Sequence, residues 1–160
     1  MSEEKRYTIQ EALRFFAQEF NAKVWDLLQK SERSAQDDEA MLHYAHASYC
    51  HWLSVGTGLH QQRAEWLIAH VYTVLGRPDA ALRHAARCLE LTSEHAQLMQ
   101  DFDLAYAYEG FARASALSQN QETAQKYIAL AEEAGQAVKN EEDKAIFFGD
   151  FNGGSWYGMR

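Results

Sequence analysis

With 160 residues, 47% of them hydrophobic and 12% aromatic, the chain has material for one sizeable buried core. A net charge of -8 argues against nucleic acid and membrane surfaces as main partners, because affinity for phosphate-rich surfaces rests on lysine and arginine neutralising charge. A single proline favours long helices, and two cysteines, Cys50 and Cys88, both inside apolar helical patterns, suit reduced buried thiols better than a disulfide framework.

The opening MSEEKRYTIQ is polar, has no continuous apolar segment of signal-peptide type, and is followed by no apolar run of membrane-spanning length. The expectation is a soluble cytoplasmic protein. Thr8-Ile9-Gln10-Glu11 reads as a capping box that starts a helix near Ile9. Ile9, Ala12, Leu13, Phe16, Phe20, Val24, Leu27 and Leu28 then mark one apolar stripe. A polar connector, Ser31 to Asp38, leads to a second helix expected from near Asp38 to Val55-Gly56, with Leu42, Ala45, Tyr49, Trp52 and Leu53 on its apolar face.

After the break at Gly56-Thr57-Gly58, Leu67, Ile68, Val71, Tyr72, Val74 and Leu75 recur at three- and four-residue steps and cover more than half of a helix, which must be buried on more than one side. Gly76-Arg77-Pro78-Asp79 ends it, since glycine closes a helix in a left-handed cap and proline suits the first turn of the next. In that next helix Ala81, Leu82, Ala85, Cys88 and Leu89 share a face whose small residues let two backbones approach closely.

The stretch Arg63 to Thr92 resembles a tetratricopeptide repeat (TPR), a helix pair of about 34 residues. With Gly76 as the turn glycine, Tyr72 takes the aromatic position of the first helix, Ala81 the crossing-point alanine of the second, and Cys88 its later small position. Glu65 and Ile68-Ala69 stand where the family has Trp and Leu-Gly, Ala85 replaces the second helix's aromatic, and Ser93 the closing proline. A similar pair follows, Leu104 to about Ser118 and then, after Gln119-Asn120-Gln121, a helix to Val138 with Ala124, Ile128 and Ala131 at the crossing. Ala81 and Ala124 lie 43 residues apart, so about nine residues beyond the family period must form loop or extra helix. Asn140, with Glu141, Glu142 and Asp143, starts a short final helix ending near Gly149, whose Ile146 and Phe147 are expected to cover the last pair.

The fold class expected is therefore all-α: a right-handed, TPR-like stack of about three antiparallel helix pairs, at about 8–55, 60–92 and 103–138, within one domain over 1–149 that includes a C-terminal capping helix at about 140–149. Residues 150–160 form an aromatic, glycine-rich tail with Phe151, Trp156, Tyr157 and Met159. It is either a frayed terminus or a segment that docks into the groove of its own or a neighbouring molecule.

In such stacks the first helices of each pair line the concave face. One stripe there holds Arg63, Trp66, His70 and Thr73, and the matching stripe holds Tyr106 and Arg113 with Glu109 beside them. The resemblance implies that these positions hold an extended peptide or a helix, with two arginines able to take a carboxylate. The alternative is that Trp66 and Tyr106 are core residues beneath the first helix. On the groove reading, reversing the charge at Arg113 removes a partner and spares the fold.

His43, His46 and Cys50, at i, i+3 and i+7 on one side of a helix, are a candidate metal site, although no carboxylate or second CxxC fixes a ligand count. No cofactor is indicated: Gly56-Thr57-Gly58 lacks the lysine and preceding strand of a phosphate loop, and helical spacing alone gives no cysteine nucleophile a base. The function expected is non-catalytic protein or peptide binding. The alternatives are a small-ligand or metal sensor with a pocket between the N-terminal and central pairs, and self-assembly through groove or tail.

Overall fold

A computed structural model describes residues 5–160, which form seven α-helices and no strand. Helix α1 spans Ile9–Leu28, α2 Ala35–Val55, α3 Gly58–Val74, α4 Pro78–Glu94, α5 Asp101–Leu117, α6 Gln121–Gln136 and α7 Glu141–Asn152, with a short 3-10 turn at Ala96–Leu98. The all-α class is thus observed.

The caps set these boundaries. Thr8 Oγ1 accepts from the Glu11 amide at 3.2 Å while Glu11 Oε2 accepts from the Thr8 amide at 2.8 Å, the reciprocal box that the sequence predicts. Helix α2 begins three residues before Asp38, because Ser34 and Asp37 form a second such box, with bonds of 3.1 and 3.0 Å. The α3–α4 turn closes through Gly76, at φ 68°, with Gly76 N–H donating to Thr73 O and Arg77 N–H to Tyr72 O. The α5–α6 turn repeats that pattern 43 residues later: Gln119 sits at φ 60°, its N–H donates to Ala116 O, and Asn120 N–H donates to Ser115 O. Between these two turns the chain runs through α4, the Ala96–Leu98 turn and α5.

Consecutive helices pack on one another, α1 on α2, α3 on α4 and α5 on α6, while α3 also reaches α2 and α5. Val24, Met41, Ala45, Leu67, Ile68 and Val71 fill the space among α1, α2 and α3. Alanines at 69, 81, 85 and 114 make the tight crossings of α3, α4 and α5. Ala105, Ala112, Ala131, Phe147, Phe151 and Trp156 join α5, α6 and α7 to the tail. The two residues expected to cover the last pair divide: Phe147 is fully buried, whereas Ile146 is 55% exposed. Ile9, the first residue of the predicted α1 stripe, is 80% exposed, so that stripe meets the core only from its middle onward.

Candidate functional site

A cleft lies between α1, α3, α5 and α7, and its walls are built from helical stripes. On α3, Arg63, Trp66 and His70 follow one another at one-turn steps, and on α5 Asp103, Tyr106, Glu109 and Arg113 do the same. Gly110 allows the two helices to come together here, since a Cβ on it would meet the Trp66 ring at 3.1 Å. Arg63 forks onto Asp103, Nε to Oδ1 at 2.9 Å and NH2 to Oδ2 at 3.1 Å, and lies over the Phe102 ring at 5.2 Å. The Trp66 ring stacks nearly parallel on His70 at 5.1 Å, faces Trp25 of α1 at 6.1 Å and takes the edge of Tyr106 at 5.4 Å. A cavity of about 330 Å³ remains open among Asn21, Trp25, Gln62, Arg63, Trp66, Phe102, Asp103, Tyr106 and Asp150.

The other end of the cleft is filled by the chain's own C-terminus. Arg113 pairs through Nε with Glu109 Oε1, while its outer nitrogens donate to the carbonyls of Ser155, Asp150 and Gly153, each at 2.9 Å. Its guanidinium lies 4.1 Å from the centre of the Trp156 ring. Tyr106 donates to Asp150 Oδ2 at 2.6 Å, and the Tyr157 hydroxyl donates to Thr73 O at 3.0 Å. The final helix runs three residues past the expected end at Gly149, so residues 150–152 belong to α7, and of the two readings of the tail the docked one in the chain's own cleft is what the structure displays.

Electrostatics follow from this packing. Burial pushes the Glu109 carboxyl above the ordinary range, while the Arg113 charge and hydrogen bond and the Trp66 N–H, at 3.3 Å, pull it back down. Burial and the Asp150 carboxylate hold the Tyr106 phenol up, so it stays a donor. Burial, helped by the Arg113 charge and opposed by Asp150, pushes the His70 imidazole down to about 4 from an ordinary 6.5. A base depressed in the fold contributes stability above its unfolded value and loses it as pH falls through the folded one. The fold is therefore expected to lose up to about 3 kcal/mol between pH 6.5 and 4 through this ring. His70→Phe keeps the stack on Trp66 and should flatten that stretch of the profile; urea midpoints that fall equally in both proteins would reject the assignment.

The predicted groove residues thus separate into three sets. Arg63, Trp66 and Tyr106 border the open cavity. Glu109 and Arg113 are buried against each other and the tail, and His70 sits between these two groups. Thr73 is buried and spends its hydroxyl on Ala69 O of its own helix at 2.8 Å. Neither arginine is left for a ligand carboxylate in this arrangement, since each has its own acid. Trp25, Gln62, Asp103 and Asp150 complete the cleft; Asp103 lies one turn before Tyr106 on the same stripe, whereas Trp25, Gln62 and Asp150 carry no spacing signal that ties them to it. Trp25 alone offers a hint, as a large aromatic beside the apolar stripe that Val24, Leu27 and Leu28 define.

The His43, His46 and Cys50 set does not assemble. His43 is exposed near Glu39 at 3.8 Å, His46 turns to the Tyr72 hydroxyl at 3.1 Å and to the edge of the His84 ring, and no group of three or more His, Cys, Asp or Glu among the described residues is placed to hold a metal ion. The spacing fails because His46 projects toward α3 and α4, where Glu65 already takes the His84 ring at 2.6 Å. Cys88 is buried as expected, with its thiol pushed up by burial, but Cys50 is exposed. No helix among the described residues is long and apolar enough to cross a membrane. No family model matches the chain, and comparison with curated proteins and with solved structures finds no match.

Proposed function

We propose that this chain is a non-catalytic, cytoplasmic peptide-binding module, a TPR-like right-handed stack of about three helix pairs with α7 as its cap, whose concave face is the cleft between α1, α3 and α5. The observation that carries the reading is the open, aromatic-walled cavity lying in line with a segment of chain already held there. Arg113 grips the C-terminal end of α7 and the chain just beyond it through the main-chain carbonyls of Asp150, Gly153 and Ser155, contacts that do not depend on side-chain identity. The matched turns at Gly76 and Gln119 support the repeat reading, because the same closure recurs at the spacing of the crossing alanines.

Trp25 is the residue of choice for a test: it is 37% exposed, borders the cavity, and leaves the buried core intact when truncated. Peptides selected on the wild-type protein from a random library are expected to lose about tenfold in affinity for Trp25→Ala, by titration calorimetry, with an unchanged thermal melt. A library that yields no binder, or binders indifferent to Trp25, would overturn the proposal.

A further inference from the structure

The polar groups around the open cavity are unevenly matched. Gln62 is 1% exposed and borders the cavity. Its Nε2 donates to Thr92 Oγ1 at 3.0 Å, and Thr92 in turn donates to Cys88 O, which fixes which end of the amide is which. Its Oε1 is left without a hydrogen-bond partner among the described residues and is closed off from solvent behind the cavity wall. A buried acceptor of this kind costs stability unless something donates to it.

Charge is unevenly matched as well. Asp103 is neutralised by the Arg63 fork, and Glu109 by Arg113. Asp150 enters no ion pair among the described residues, and its Oδ2 accepts only the neutral Tyr106 hydroxyl. The cavity therefore carries one carboxylate without an ion-pair partner among the described residues, and indole and phenol walls from Trp25, Trp66 and Tyr106. Aromatic surface and a carboxylate together suit a donor cation with an apolar stem. The chain displays that chemistry at its own edge, where Arg63 lies over Phe102 and, further along, Arg160 lies 4.3 Å from the centre of the Phe151 ring.

We propose that the cavity takes the guanidinium or ammonium group of a basic side chain, with its stem against Trp25 and Trp66 and its charge near Asp150. This rests on the peptide-binding reading and names the residue class the cleft selects. It reverses the carboxylate preference that two groove arginines suggest in the sequence. Arg63 then acts as a competitor for the site, not as its anchor.

The test uses small probes on the full chain, read by NMR at the Trp25 and Trp66 indole N–H and the Gln62 side-chain amide. Propylguanidinium and butylammonium are expected to shift these resonances and to saturate; butylurea and butyrate are not. Asp150→Asn keeps both the bond from Tyr106 and the main-chain carbonyl that Arg113 holds, and should weaken the cations about tenfold. Arg63→Gln should tighten them, since it frees Asp103. Butyrate binding as well as the cations, or cation affinity unchanged in Asp150→Asn with an intact melt, would overturn the proposal.

The source of the cation is read separately, from library peptides carrying Arg or its neutral isostere citrulline at one position. A loss of affinity with citrulline assigns the site to a peptide. Cations that bind while no peptide is selected leave the site standing for a free amine and reject the peptide-binding reading alone. Selected peptides indifferent to the exchange reject the basic-side-chain assignment alone.

Discussion

Arg113→Leu is expected to cost about 3–5 kcal/mol of stability, the range found when one partner of a buried ion pair is removed. Glu109 is 2% exposed and Arg113 6%, and burial already raises the Glu109 carboxyl even with the guanidinium beside it. Without Arg113 that carboxylate has only the Trp66 N–H, and the carbonyls of Asp150, Gly153 and Ser155 lose their shared donor. Lysine should rescue little, because an ammonium lacks the planar fork that serves Glu109 on one side and three carbonyls on the other. Arg113→Glu, which the groove reading treats as a fold-sparing change, places two buried carboxylates one turn apart and should unfold the protein. The double variant Glu109→Leu with Arg113→Leu should recover much of the loss. Urea midpoints followed by tryptophan fluorescence measure all of these, and a wild-type midpoint for Arg113→Leu would remove the basis for this account.

Trp156→Ala should release the tail. The indole is 7% exposed, packs on Phe151 at 5.4 Å, donates to Phe151 O at 3.0 Å and covers the Arg113 guanidinium. A buried tryptophan truncated in a rigid core costs about 3–5 kcal/mol, but a terminal segment can undock before the whole domain unfolds. The global loss is therefore expected at or below about 3 kcal/mol, with the larger effect local. The Met159 amide, bonded to Trp156 O at 2.9 Å, should lose its hydrogen-exchange protection, while Ala105 and Ala112 in α5 keep theirs. Persistent protection at Met159 would mean that the tail is held by something other than Trp156.

Much of this architecture was legible without coordinates because helices announce themselves locally. The capping box at Thr8, the Gly76-Arg77-Pro78 turn and the alanines at 81 and 124 each act within a few residues, so their types determine what they do. Helix α2 starts three residues ahead of its expected start because Ser34 and Asp37 form a box whose N3 partner is Asp instead of the commoner Glu. The stripes holding Trp66, Tyr106 and Arg113 were likewise visible, since a helix fixes which residues share a face.

What each stripe does was decided only in three dimensions. Arg63 meets Asp103 across 40 residues and Arg113 meets the tail carbonyls across about the same distance, and a main-chain carbonyl leaves no mark in the sequence. A metal spacing on α2 came apart for the same reason: i, i+3 and i+7 specify direction from one helix but not what the facing helix already offers. The sequence by itself determined the helices, most of their ends and the central part of their buried faces, because those follow from period and local hydrogen bonding. The tertiary structure alone decided that one groove arginine locks the tail, that the other shields an aspartate, and that Asp150 faces a cavity as an acceptor, because pairing between distant side chains depends on packing that no local pattern encodes.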